Sequence, residues 1–203
     1  TAILSALVFV VLAFVVFNFG RDPTAVPNVA LAPSILWVTF TLAAILALNR
    51  AFHLELENQA LDGVLLAPID RSSIYLGKLI ANLVFVATFE LIGVPLLMLF
   101  FNVQLLPHLA PLVLLIGLAT VGFVAVGTLF SAMTVRTRFA ELLLPVLLLP
   151  FMILPLSWGV QATVRLLADR PLSEIAGWLN MLAVYDIVFV TLALFLFPAT
   201  VTE

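Results

Sequence analysis

Six apolar stretches long enough to cross a membrane recur along this chain, and they limit its possible folds more than any other feature. A helix needs about 20 consecutive apolar residues to cross the hydrocarbon core of a bilayer. Of the 203 residues, 65% are hydrophobic and 9% are charged, whereas a soluble domain carries about 25% charged residues. Barrel strands would instead alternate over about 10 residues. We therefore predict an all-α integral membrane protein, a single transmembrane domain over 1–203 with spans at 2–19, 31–48, 74–101, 112–133, 142–158 and 179–197.

The fourth and fifth predicted spans have unusual compositions. The fourth is rich in small residues, among them Gly122 and Gly127, which let neighbouring backbones approach closely. We expect it to be a central, closely packed helix. The fifth contains three prolines, each of which removes a backbone hydrogen-bond donor, so we expect the helix to be bent or broken by Pro145, Pro150 and Pro155.

The polar interval at residues 50–73 separates the second and third predicted spans. Helical periodicity places four of its polar residues on one stripe, namely Glu55, Asn58, Gln59 and Asp62. An amphipathic helix of this kind lies on the lipid surface or docks against a soluble partner. An acidic face is repelled by anionic headgroups and suits a basic groove on a protein. The residues alone leave both interpretations open.

Two further features concern the membrane boundaries. Trp37 lies near the start of the second span, where we expect it to anchor the helix at the membrane–water interface. Residues 161–178 form a second amphipathic segment. We expect this outer segment at the outer interface or re-entrant, in contact with a periplasmic partner.

The basic residues predict an orientation, because short cytoplasmic loops carry the excess of Lys and Arg. Three arginines fall on one side of the predicted topology, Arg21, Arg165 and Arg170. Five basic residues fall on the other, Arg50, Arg71, Lys78, Arg136 and Arg138. We predict that the second side is cytoplasmic and that both termini lie there. The chain begins at Thr1 inside an apolar run, and we expect a further N-terminal segment in the natural protein.

Three polar residues interrupt the spans and are candidates for a path or a gate: Asn82, Glu90 and Asp186. An ionised carboxylate within the membrane is costly unless it is paired or faces water. Glu90, near the middle of the third span, therefore has two interpretations. It lines a cavity or gate, or it is a packing residue held by a Thr or Asn on a neighbouring helix.

Several kinds of chemistry have no candidate residues. Without cysteine there is no thiol chemistry and no cysteine-ligated metal. His53 and His108 lie in predicted loops on opposite sides of the membrane, so they cannot share a metal. Either one could ligate haem, although an exposed loop histidine is usually only solvated. The sequence has no Gly-rich phosphate loop, no HExxH and no serine nucleophile elbow. We predict a non-catalytic chain without a covalently bound cofactor and without nucleic-acid binding, in which any ATP is bound by a separate chain.

Two stretches resemble a known family. One is Ala47–Leu83, where Phe52, Glu55, Pro68 and Gly77-Lys78 match that family's first cytoplasmic segment. The other is the proline-punctuated ELLLPVLLLPFMILP stretch at 141–155. On these residues the chain resembles the CcmB family, the ABC-2-type (type V exporter-like) permease subunit of the haem-exporter complex of cytochrome c maturation. It departs from the family at residues 58–59, where many members have an acidic residue followed by glycine.

The resemblance implies roles and partners. Residues 50–73 would act as a coupling helix seated in a groove of a CcmA-like ATPase, with a contacting stripe of Glu55, Asn58, Gln59 and Asp62 flanked by Arg50 and Arg71. The other partners implied are a second copy of this chain, a CcmC-like haem-handling membrane protein, a CcmD-like small membrane subunit and a CcmE-like periplasmic haem chaperone. The location implied is the bacterial inner membrane. Haem would be the substrate, or ATP would drive release of the haem-loaded chaperone.

Two other functions remain open on sequence grounds. The chain could be an ABC-2 exporter of a glycan or a drug, although its few Trp and Tyr residues disfavour a wide sugar conduit. It could also be a membrane scaffold with no transport path, in which Glu90 only packs against a partner.

Overall fold

The computed structural model describes residues 2–22, 26–57, 70–134 and 140–200. Within these ranges the chain forms six α-helices and one 3₁₀ turn. The elements are α1 (Ala2–Phe19), α2 (Asn28–Glu57), α3 (Arg71–Phe101), the 3₁₀ turn (Leu106–His108), α4 (Leu109–Thr134), α5 (Ala140–Leu167) and α6 (Leu172–Thr200). The predicted coupling residues Asn58, Gln59 and Asp62 lie outside the described residues.

Five segments of the described chain are long and apolar enough to cross a membrane: Asn28–Asn49, Arg71–Phe101, Leu106–Thr134, Leu142–Leu167 and Leu172–Thr200. The apolar part of α1, Ile3–Phe19, is shorter. These lengths and compositions confirm an all-helical, multi-pass membrane protein.

The second helix is longer than predicted. The predicted span ends at residue 48, whereas α2 continues without a break to Glu57 and has 30 residues. At a rise of 1.5 Å per residue it is about 45 Å long, compared with about 30 Å for the hydrocarbon core. Because Arg50 and Glu55 lie on its last turns, the start of the polar interval belongs to a membrane-spanning helix. His53 also lies on α2, not in a loop as predicted.

Two predicted irregular features differ from the helices observed. The outer segment 161–178 is not a separate element, since residues 161–167 complete α5, residues 172–178 begin α6, and Asp169 adopts a left-handed conformation (φ 54°) between the two helices. The fifth span was expected to be bent or broken, and it is not broken, because α5 is continuous through Pro145, Pro150 and Pro155. Helices in membranes tolerate proline where neighbouring helices and local adjustments satisfy the freed backbone groups.

Side-chain contacts define which helix ends meet. At one end, Asn28 donates from Nδ2 to the carbonyl oxygen of Phe101, and His108 Nε2 lies 3.2 Å from Asp169 Oδ1. The turns after α1, α3 and α5 therefore gather at what we call the His108 end. At the opposite, Ser72 end, the Ser72 hydroxyl donates to the carbonyl oxygen of Leu194 at 3.5 Å. The start of α3 thus lies beside the last turns of α6.

Helix α4 is the centre of the bundle, as its small residues predicted. It packs against α2, α3, α5 and α6. A Cβ added at Gly122 would lie 2.8 Å from the Tyr185 ring, and one at Gly127 would lie 2.4 Å from Leu48 Cδ1. An added Cβ would displace these facing side chains, so glycine lets α2 and α6 pack closely against α4.

Trp37 is not an interface anchor. It is only 1% exposed, and its indole N–H donates to Thr163 Oγ1 at 2.9 Å. Its ring also covers Gly159, where an added Cβ would lie 2.6 Å from the indole. The prediction failed because a buried hydroxyl on α5 satisfies the indole N–H in place of the interface.

The Trp37–Gly159 contact gives a test of the packing between α2 and α5. We expect Gly159→Ala to destabilise the protein by about 1–3 kcal/mol, since the added methyl group overpacks a buried ring. The matched control is Gly77→Ala on α3, where an added Cβ meets nothing within 4 Å. That change should be neutral or stabilise by up to about 1 kcal/mol. The measurement is unfolding in detergent, and equal effects of the two substitutions would contradict the packing described here.

Candidate functional site

Two polar contacts join α3 to α4. Asn82 donates from Nδ2 to Thr128 Oγ1 at 3.0 Å. The Thr120 hydroxyl lies within donating distance of both carboxylate oxygens of Glu90, at 2.8 and 2.9 Å. The two contacts are eight positions apart on each helix, a separation of about 12 Å. We call them the polar rungs of the α3–α4 pair.

Glu90 has structural features of both interpretations, and its role in a path or gate stays a prediction. Its carboxylate is 6% exposed and is held by a threonine of the neighbouring helix, as the packing interpretation predicts. It also lines a cavity of about 360 Å³ between α3, the 3₁₀ turn and α4. The other side chains of this Glu90 cavity are apolar or absent: Ala87, Leu91, Val94, Pro95, Met98, Leu106, Leu109, Leu112, Val113, Ile116 and Gly117.

Asp186 approaches α4 from a different side. It is 7% exposed, and its Oδ1 has no hydrogen-bond partner within the part of the chain that the structure describes. That oxygen lies 2.7 Å from where a Cβ of Gly122 would stand. Thr120 and Gly122 are two positions apart, about 200° around the helix axis. Glu90 and Asp186 therefore belong to separate environments, whereas Asn82 and Glu90 share the α3–α4 interface.

An aromatic groove that no sequence pattern predicted lies between α5 and α6. Its volume is about 500 Å³, and its lining residues are Trp158, Gly177, Asn180, Met181, Val184, Tyr185, Val188 and Phe189. The Trp158 and Tyr185 rings meet edge to face, with centroids 6.2 Å apart. Towards the His108 end, the Arg165 guanidinium stacks over Trp178 at 5.4 Å. The groove offers apolar and aromatic surface with a cation near one end.

Comparison with known proteins supplies the family. A sequence profile described as CcmB protein matches residues 1–203. This chain belongs to the CcmB family. It is 29% identical to heme exporter protein B of Rhodobacter capsulatus over 175 residues. The aligned region covers 84% of this chain and 80% of that protein. It is 31% identical to heme exporter protein B of Paracoccus denitrificans over 165 residues, which are 79% of this chain and 73% of that protein. It is 29% identical to heme exporter protein B of Pseudomonas aeruginosa over 178 residues, which are 87% of this chain and 78% of that protein. The resemblance seen in the sequence is confirmed.

The described residues of this CcmB-family chain contain only part of the predicted coupling stripe. Arg50 and Glu55 lie on the last turns of α2, and Arg71 is the first residue of α3. The other three predicted residues fall between these helices, outside the described ranges. The geometry of the stripe as a surface is therefore not described, and its role stays a prediction.

No metal centre is assembled within the described ranges. No group of three or more His, Asp or Glu side chains is placed there to hold an ion. His108 is instead paired with Asp169, whose side chain is 85% exposed. This contact links the turn after α3 to the turn after α5.

The polar rungs can be tested by double-mutant cycles. We expect Asn82→Ala and Thr128→Ala to couple by about 0.6 kcal/mol, the average measured for hydrogen bonds between membrane helices, and by no more than about 1.7 kcal/mol. The cycle of Asn82→Ala with Thr120→Ala crosses two rungs and should couple by less than about 0.5 kcal/mol. The free energy of unfolding in mixed micelles gives both values, and equal coupling in the two cycles would show that the rungs are not separate contacts.

Proposed function

We propose that this chain is the non-catalytic permease subunit of an ABC transporter for cytochrome c biogenesis. It couples ATP hydrolysis by a partner chain to haem export or to release of a haem-loaded periplasmic chaperone. The match of the CcmB profile to the whole chain supports this function, together with three relatives named heme exporter protein B. We also propose the six-span ABC-2 arrangement, with α1 as the first span, since its 18 residues are about 27 Å long.

The observation that carries the coupling proposal is the unbroken course of α2. Its apolar part, Asn28–Asn49, is long enough to span the membrane, and the same helix then continues to Glu57. The last eight residues add about 12 Å beyond the apolar part. A partner that moves this extension also moves the helix carrying Trp37, which is hydrogen-bonded to Thr163 on α5. Displacement at the polar end therefore reaches the interior of the bundle through a single rigid element.

The C-terminal end of the coupling segment also contacts the bundle. Ser72, in the first turn of α3, contacts the backbone of α6. One turn further along, the buried Tyr75 hydroxyl donates to the carbonyl oxygen of Ala125 on the central helix at 3.1 Å. The segment thus begins on α2 and ends on a helix anchored to α4, which suits transmission of force from a docked ATPase.

The remaining assignments follow from the family. We propose a CcmA-like ATPase, a second copy of this chain, and CcmC-, CcmD- and CcmE-like proteins as partners. The protein would lie in the bacterial inner membrane with the Ser72 end cytoplasmic. An even number of spans then places both termini on the cytoplasmic side. Haem would be the substrate and not a resident cofactor.

The test of coupling uses charge reversal in the assembled complex. We expect Glu55→Lys combined with Asp62→Lys to reduce ATPase recovery on the tagged chain, and the yield of mature cytochrome c, at least tenfold, since the acidic stripe would repel a basic groove. The control is Glu174→Lys, which reverses an exposed carboxylate in the first turn of α6 at the His108 end. It should leave ATPase recovery unchanged.

The outcomes of this purification separate the possible functions. Equal ATPase recovery from the variant and the control would exclude the coupling role of the stripe. If an ATPase is recovered together with glycan- or drug-export proteins, the permease role is supported and haem is excluded as the substrate. A scaffold without a transport path requires that ATPase recovery and cytochrome yield be insensitive to Glu90→Gln and Asp186→Asn.

The aromatic groove is our candidate surface for haem. Trp158 and Phe189 offer aromatic contact to a planar ring, and Arg165 lies two helical turns beyond Trp158, about 10 Å along α5. A guanidinium at that distance suits the carboxylates of a porphyrin. We expect Arg165→Gln to weaken haem binding at least fivefold and to leave binding of the porphyrin dimethyl ester unchanged.

Quenching of tryptophan fluorescence by added haem provides the binding measurement. The matched control is Arg21→Gln, because Arg21 also lies over an aromatic ring, that of Phe101 at 6.0 Å, at the same end of the bundle. If both variants lose haem binding equally, the loss is explained by the change in net charge alone. That result would overturn the assignment of haem to the groove.

A further inference from the structure

The Glu90 cavity shares no lining residue with the aromatic groove, and its lining combines one carboxylate with apolar side chains. Glu90 lies eleven positions before the end of α3 at Phe101, about 16 Å along the helix. Leu106 and Leu109 line the cavity near the His108 end. The cavity therefore runs along α3 and α4 from near that end of the bundle to Ala87, one turn beyond the carboxylate. Its volume of about 360 Å³ lies within the range of small-molecule sites.

The carboxylate retains capacity to accept hydrogen bonds. An ionised carboxylate offers about four acceptor positions, and the Thr120 hydroxyl has only one hydrogen to donate. None of the other lining residues has a side chain that can donate. A molecule in this cavity thus meets one strong acceptor and otherwise apolar walls.

Gly117 provides the second observation. Packing within the chain does not require it, since a Cβ added there meets nothing within 4 Å. This differs from Gly122 and Gly127 on the same helix, where Tyr185 and Leu48 occupy the space of a Cβ. Glycine in a helix interior costs about 1 kcal/mol relative to alanine. Its effect at this position is a notch in the α4 wall of the cavity.

We propose that the Glu90 cavity is a binding site for a compact lipophilic molecule whose one polar group is a hydrogen-bond donor, an amine or an alcohol. The donor binds the Glu90 carboxyl beside Thr120, and the apolar body contacts the apolar lining, including Val94, Val113 and Gly117. An amine would pair with an ionised carboxylate and an alcohol would donate to either form, so both share the same contact. The proposal does not depend on ATPase docking.

The experiment uses the assembled complex in lipid nanodiscs and three probes with one apolar body: tritiated 1-adamantylamine, tritiated 1-adamantanol and unlabelled adamantane as competitor. We expect saturable binding of one or both donor probes, with one site per chain. Adamantane should compete at least tenfold more weakly, because it has no donor. If adamantane competes as strongly as the donor probes, the proposal is overturned. It is also overturned if neither donor probe binds saturably, for example because a partner helix covers the cavity.

Substitutions then locate the site. Gly117→Leu fills the notch and leaves the carboxylate in place, and Glu90→Leu removes the acceptor; each should weaken binding at least tenfold. Gly77→Leu is the matched control, because its Cβ position is also open but lies outside the cavity, and binding should be unchanged. Equal affinity in Gly117→Leu and the native chain would contradict the location.

Glu90→Gln distinguishes the two ligand classes. A tenfold loss for the amine with less than a threefold loss for the alcohol identifies an ionic contact. If Glu90→Gln changes the affinity of the amine and the alcohol by the same factor, the contact is a hydrogen bond to a neutral carboxyl group. The chain that carries both Glu55→Lys and Asp62→Lys is expected to lose ATPase docking but should still bind the probes normally. The coupling proposal and the cavity proposal can therefore fail separately.

Discussion

Close packing of large side chains against the glycines of α4 is the constraint on which the rest of this bundle depends. In a membrane, lipid tails are as apolar as the helices, so association relies on close packing and on hydrogen bonds between helices. Gly122 admits Tyr185 and Asp186 of α6, and Gly127 admits Leu48 of α2. The Tyr75 hydroxyl reaches the α4 backbone itself at Ala125. One helix with small residues on several sides thus organises its neighbours, and each neighbour contributes a large or polar side chain to it.

Hydropathy and small residues were sufficient to predict this architecture. The apolar stretches correspond to the described helices, and the small residues of the fourth span correspond to the central position of α4. The errors share one cause, since periodicity describes a helix without its neighbours. Trp37 was expected at the interface because a tryptophan near a span end commonly lies there, whereas a hydroxyl on α5 binds its indole N–H inside the bundle. The polar residues after position 48 suggested a new element, but a helix has no reason to end where its sequence becomes polar.

The candidate sites were predictable to different degrees. Glu90 could be singled out because a carboxylate within an apolar span is costly, and a threonine or asparagine partner was expected. The identity of Thr120 could not be predicted, because several threonines occur in the spans and only the register of α3 against α4 selects one. The aromatic groove could not be predicted either, since Trp158, Tyr185 and Phe189 have the composition of an ordinary core. Gly117 had the same appearance as Gly122 in the sequence, and only the surrounding side chains distinguish them.

The two polar rungs also limit how the bundle can move. They are spaced equally on α3 and α4, so both contacts are made in a single register of these antiparallel helices. Sliding one helix by one residue displaces it by about 1.5 Å, enough to lengthen contacts of 2.8–3.0 Å beyond normal hydrogen-bond distances. Both rungs would weaken together, and the buried carboxylate would lose part of its hydrogen bonding in an apolar environment. The equal spacing of the two rungs therefore holds α3 and α4 in register against sliding.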